Sequence, residues 1–259
     1  MRVTKLKTAL LGVLAMSVIA PVAQAEDSAW GPFSAGVSLT SDYRFRGISQ
    51  SDRNPALQGW VQYDHASGAF ANVWASSIDF NDETTYDSGV EIDLTAGYNF
   101  KLGENTSATA KAVYYWYADA DTPPTTTRDY DYWEFIAGVS HDYGKIGVSA
   151  ELAYSPDTFK EGDEAIALTG GVSAPLMEKF LFFTGGLEAS GHLGYQWYDD
   201  NTVATGNLPD YLFFDAGFGT SWNQIALDVR WVDTDVNKTQ CGSDWCEGGV
   251  VVSVSANLP

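Results

Sequence analysis

The sequence predicts an all-β fold: a transmembrane, antiparallel, up-and-down β-barrel of about 12 strands, with short periplasmic turns and long acidic extracellular loops. Three observations predict it. Apolar and polar residues alternate with a period of two through most of the chain, which gives each segment one greasy face and one wet face. The connectors are long and short in turn, so an even-stranded antiparallel sheet collects the long ones at one end. Aromatic residues gather at two heights on the apolar face, around a band of Val, Leu, Ile and Ala. A soluble two-sheet sandwich has no reason to sort its connectors by parity. Closure also removes the unpaired strand edges that lipid would not tolerate.

The first element is a leader. Arg2, Lys5 and Lys7 precede an uncharged stretch that runs to Gln24. Its apolar part, from Ala9 to Ile19, is too short to span a bilayer and is followed by Ala23-Gln24-Ala25, a small-x-small cleavage pattern. We read residues 1–25 as a signal peptide and 26–259 as a single outer-membrane β-barrel domain; a retained anchor is the bland rival. The chain has 14 Lys+Arg against 34 Asp+Glu, and loss of the leader takes three bases, leaving a charge of −23. Such a surface repels nucleic acid. It favours cations or small polar solutes, with outer-membrane lipid as the other partner. No cofactor and no metal is expected, and the unbroken aliphatic outer face makes a monomer the default.

The strands follow in order. Residues 90–100 alternate most cleanly, with Val90, Ile92, Leu94, Ala96, Tyr98 and Phe100 on one face. Residues 33–40, 146–154, 224–231 and 250–258 repeat the pattern. Candidate strands begin near residues 33, 56, 69, 89, 106, 131, 145, 165, 186, 211, 224 and 249, with the region 175–184 breaking the long–short rhythm. The long connectors carry Asp82, Glu83, Asp87, Asp119, Asp121, Asp129, Asp157, Glu161, Asp163, Glu164, Asp200, Asp233, Asp235, Asp244 and Glu247. One aromatic girdle is expected from Tyr43, Phe45, Trp116, Trp133, Phe135, Tyr154, Trp197 and Trp231, the other from Tyr63, Tyr98, Phe100 and Trp222. Cys241 and Cys246 sit in the last long connector, where an oxidising compartment favours a small loop disulfide. Two free thiols, or half of a metal site, are the alternatives.

The stretch Ser41-Asp42-Tyr43-Arg44-Phe45-Arg46-Gly47-Ile48-Ser49-Gln50, followed by Pro55-Ala56-Leu57-Gln58-Gly59, is similar to the opening of the TorF-type family of porins of Gram-negative outer membranes. Residues 74–80, 91–100 and 194–200 resemble later segments of that family, so the likeness covers most of the chain beyond the leader. The resemblance implies an outer-membrane barrel with a channel role and carries no assigned functional residues. One departure is the end, Ala256-Asn257-Leu258-Pro259, which lacks the final aromatic that barrel assembly usually reads.

If residues 33–46 form one strand, Asp42, Arg44 and Arg46 face the lumen near its outer mouth. The other inward charges are Glu91, Asp93, Lys111, Glu134, Glu151, Glu188, Asp215, Asp228 and Arg230. Eight acids against four bases make a cation-leaning pore, since carboxylates raise the local cation concentration. The same residues could equally be a ladder of charges that satisfy one another. Strands about 4.8 Å apart and tilted about 40° give a backbone diameter of roughly 24 Å and an opening of roughly 10 Å or less. The expected function is therefore passive passage of ions or small polar solutes. A non-conducting barrel whose loops bind a partner is the alternative. No catalytic residue is assigned: Glu188, Ser190 and His192 share a strand face like a nucleophile–base set but stand about 7 Å apart along it. Asp233-Thr234-Asp235-Val236-Asn237 opens like a calcium loop, yet Lys238 and Asp244 stand where such a loop needs glycine and glutamate.

Overall fold

The structure is a computed structural model that describes residues 31–80, 88–118, 130–158, 164–181, 183, 185–199 and 208–258. The leader expected over residues 1–25 lies outside them, as do the loop acids Asp82, Glu83, Asp87, Asp119, Asp121, Asp129, Glu161, Asp163 and Asp200. The chain forms β1 (Phe33–Thr40), a short pair β2 (Arg44–Phe45) and β3 (Ile48–Ser49), then β4 (Ala56–Asp64), β5 (Ala69–Ser77), β6 (Val90–Lys101) and β7 (Thr106–Ala118). It continues through β8 (Tyr132–Tyr143), β9 (Ile146–Ser155), β10 (Ala165–Met177), β11 (Leu187–Tyr198), β12 (Tyr211–Trp222) and β13 (Ile225–Thr234). A four-residue helix, α1 (Lys238–Cys241), precedes β14 (Gly249–Leu258).

All these strands except β2 and β3 form one closed antiparallel barrel, in which β1 pairs β14 with Ala35 opposite Leu258 and Thr40 opposite Ser253. Each of the 12 wall strands begins within one residue of the position read from alternation. The short turns suit their sequences. In the two-residue turns after β8 and β12, Gly144 and Asn223 take φ of +68° and +52°, a region open to glycine and tolerated by asparagine. Near the expected break, β10 continues through Pro175 to Met177 with a register slip between them.

The wall is inverted relative to a soluble protein. Leu57 is 64% exposed and Val37 52%, whereas Gln58 and Glu91 on the opposite face are 4% and 1% exposed. A dry sandwich interior would give the reverse, so the outer band faces lipid. Trp116, Trp133, Phe135, Trp197 and Trp231 are exposed near the long-loop end, and Tyr98, Phe100 and Trp222 near the short-turn end.

Two expectations near the N-terminus fail together. Residues 33–46 are not one strand: β1 stops at Thr40, whose hydroxyl bonds the Asp42 carbonyl, and the chain turns inward. Tyr43, 2% exposed, and Phe45 therefore belong to the interior and not to the outer girdle. The inserted β2–β3 hairpin turns at Arg46 and Gly47, both with positive φ, a geometry that matches the twist of paired strands.

Candidate functional site

The lumen is shaped by this hairpin and by the loop that holds it. Arg44 is the clamp. Its Nε donates to Asp42 at 2.5 Å, and its Nη1 reaches the carbonyls of Gly47 (2.9 Å), Trp245 (2.8 Å) and Glu247 (3.0 Å). The Ser49 hydroxyl donates to Asp42 at 2.6 Å, and Trp245 Nε1 donates to Asp52 at 2.7 Å. Arg53 reaches the Asp244 carbonyl at 3.1 Å. A guanidinium with several bonds to fixed acceptors is a rigid joint, because its planar fork loses little freedom.

The other half of the joint is the loop between β13 and β14. Asn237 caps α1, its side-chain oxygen accepting from Thr239 and Gln240 N–H groups, and Gln240 returns a bond to the Asn237 N–H. Cys241 and Cys246 form a disulfide, with Cys246 buried against Tyr211, Phe213 and Val236. The residues that open like a calcium loop are engaged in hydrogen bonds of their own. Asn237 spends its oxygen on the cap, Asp233 accepts from Thr234 and Trp231, and Asp235 accepts from Leu212. Among the described residues no group of His, Cys, Asp or Glu is placed to hold a metal.

From the tip of the hairpin, Arg46 reaches the far wall. Its Nη2 donates to Glu134 of β8 at 2.8 Å and its Nη1 to Gln196 of β11 at 3.0 Å. Burial works against its charge, but Glu134 and the neighbouring Tyr115 and Tyr132 outweigh it and hold the pKa above the ordinary value. Tyr43 donates to Glu91 of β6 at 2.7 Å, and its ring meets Trp74 of β5 edge-on at 5.3 Å. Burial, then the charge of Glu91, pushes the Tyr43 hydroxyl above its ordinary pKa. Phe45 packs on Tyr115, which stacks on Tyr132 at 4.4 Å and donates to Glu134 at 3.1 Å. The long-loop half of the lumen is thus packed around the hairpin.

Below it the wall is polar. Asp215 of β12 accepts from Arg230 Nη1 and, at 3.0 Å, from His192 Nδ1, while Arg230 also donates to Asp228 at 2.8 Å and to the Ser190 hydroxyl at 3.2 Å. The face-sharing set of Glu188, Ser190 and His192 does not form: Asp215 from the partner strand is the carboxylate on His192, and Ser190 is taken by Arg230. His192 lies flat against β10 because position 171 is glycine. A Cβ there would fall 2.8 Å from its Cδ2 and 2.6 Å from Ser149 Oγ. Gly97 makes the same room for Phe70, and Gly36 for the Trp60 indole. Such side chains lie close against the wall.

Of the sequence-selected charges, three bases are tied to acids: Arg44 to Asp42, Arg46 to Glu134, and Arg230 to Asp215 and Asp228. Glu91, Asp93, Lys111, Glu151 and Glu188 take inward positions outside these pairs, an acidic surplus. Lys111 lies opposite Gly97 and makes no ion pair among the described residues. Sequence reasoning missed Trp60, Trp74, Tyr115, Tyr117 and Gln196 as lumen groups. The signal was parity: Tyr115 and Tyr117 share the inward positions of Lys111, where aromatics are not expected.

A family described as a bacterial protein of unknown function (Gcw_chp) matches residues 24–257. No curated protein matches the chain. Among solved structures, the KdgM porin is similar with a TM-score of 0.54 and 8% identity, covering 87% of this chain and 98% of that one. The NanC porin gives 0.54 and 7%, covering 88% and 99%. The KdgM porin in complex with disordered oligogalacturonate gives 0.52 and 9%, covering 88% and 98%. At these identities the likeness is one of fold.

Proposed function

Starting from a chain that belongs to the Gcw_chp family, we propose that it is an outer-membrane channel for passive diffusion of ions or small polar solutes, leaning towards cations. The leader pattern of residues 1–25 fits export. One observation carries the reading: a loop folded into a closed barrel and braced across it by Arg46, over a polar wall whose bases are mostly paired while acids remain in excess. An inward loop sets the cross-section, and an excess of carboxylates over bases sets the sign of the favoured ion. The porin names of KdgM and NanC, and the TorF-type resemblance of residues 41–59, support it. The oligogalacturonate named with KdgM is an acidic sugar, and an acidic lumen argues against that class here. The engaged Ser190 argues against a hydrolase.

A second reading has its own support. Tyr43, Tyr115, Tyr117 and Tyr132 are nearly fully buried beside the hairpin, as they would be in a permanently plugged barrel serving as a surface anchor for its loops. Reconstitution in planar bilayers separates the two. The channel reading expects stepwise currents and a reversal potential on the cation side in a potassium chloride gradient. Silence at every protein concentration, with current appearing only after deletion of residues 42–51, would favour the plug.

A further inference from the structure

Glu91 and Asp93 occupy successive inward positions of β6, and each keeps a buried oxygen, Oε2 and Oδ1, that no donor reaches. Burying a carboxylate oxygen without a donor is unfavourable, and two neighbouring carboxylates also repel. Three of the four lumenal bases are bound to other acids, and Lys111 lies further down the lumen, opposite Gly97. The charge of Lys111 acts on Asp93, but no base forms an ion pair with either carboxylate among the described residues.

Aromatic residues surround it. Cross-strand register puts Trp74 on one side of Asp93 and Tyr115 on the other, with Tyr117 beside Glu91. Tyr43, on the inserted hairpin, covers the pair from above and bonds Glu91. A bare metal ion needs a shell of oxygens, and no such group exists among the described residues. A small organic ammonium needs less: its charge is met by carboxylates and by ring faces, and its alkyl groups pack on the same rings. We propose that Glu91 and Asp93, walled by Tyr43, Trp74, Tyr115 and Tyr117, form a binding subsite for small organic ammonium cations. The subsite depends on the channel reading only for its route of access; its chemistry is independent of whether current flows.

The test uses the full folded barrel in detergent, titrated calorimetrically with tetramethylammonium chloride and, separately, with potassium chloride. Saturable binding of tetramethylammonium and not of potassium is expected. Glu91→Gln with Asp93→Asn should weaken it about tenfold or more, and Trp74→Leu should weaken it in a barrel that keeps both charges. Glu178→Gln, on the exposed Lys145 pair at the short-turn end, should leave it unchanged. Retained heat-dependent gel migration certifies each fold. No saturable binding, equal binding of potassium, or unchanged affinity in both the double variant and Trp74→Leu overturns the proposal. Binding without bilayer current leaves it standing and sinks the channel reading; current without binding does the opposite.

Discussion

Arg46 ties the hairpin tip to both β8 and β11, so the proposed channel's cross-section depends on it. Removing it strands a carboxylate that is 3% exposed. Breaking a buried pair from one side typically costs 3–5 kcal/mol, so Arg46→Ala should lower unfolding stability by about 3 kcal/mol or more while raising single-channel conductance. Arg46→Lys should recover only part of the loss, since an ammonium cannot serve Glu134 and Gln196 through one planar fork. Position 171 makes the opposite demand. Gly171→Val would push the His192 ring off β10, away from Asp215 and towards the axis, which should lower conductance and cost about 1–3 kcal/mol. Unchanged conductance would mean that the ring does not border the path.

Among the elements, the wall strands were legible because a period of two survives any detail of packing: one face meets lipid and the other meets water. The hairpin was illegible for the same reason. Ser41-Asp42-Tyr43-Arg44-Phe45-Arg46 keeps the alternation of a strand, and no glycine interrupts it before Gly47. The inward turn is held by Arg44, which donates to the carbonyls of Trp245 and Glu247, 201 and 203 positions away in sequence, contacts no local pattern announces. The same distance hid the role of the loop after β13, which was readable as a disulfide hairpin but not as the hairpin's seat. Breaking its bond tests that role. In the chain-entropy picture, closing a loop this short contributes about 2 kcal/mol. Cys241→Ala with Cys246→Ala should lose about that much and add current flicker as Arg44 loses its fixed carbonyls. Steady current in the double variant would show that the disulfide does not brace the hairpin.

For the whole molecule, the inverted wall makes adjacent residues answer to different solvents. Val172, 51% exposed on the outer band, and Ser173, facing inward, should respond in opposite ways to the same substitution. Val172→Arg near the middle of β10 should cost about 2–4 kcal/mol in lipid, while Ser173→Arg should fold and shift ion preference towards anions. Equal losses in stability from both would contradict a lipid-facing band. The seam between β1 and β14 has a further consequence, one of time. The first strand made finds its second partner only when the last strand arrives, and the inserted hairpin waits for the same late segment to dock. Early hairpins must therefore be kept apart and soluble until synthesis ends, and the final zippering step both shuts the cylinder and seats its inner loop.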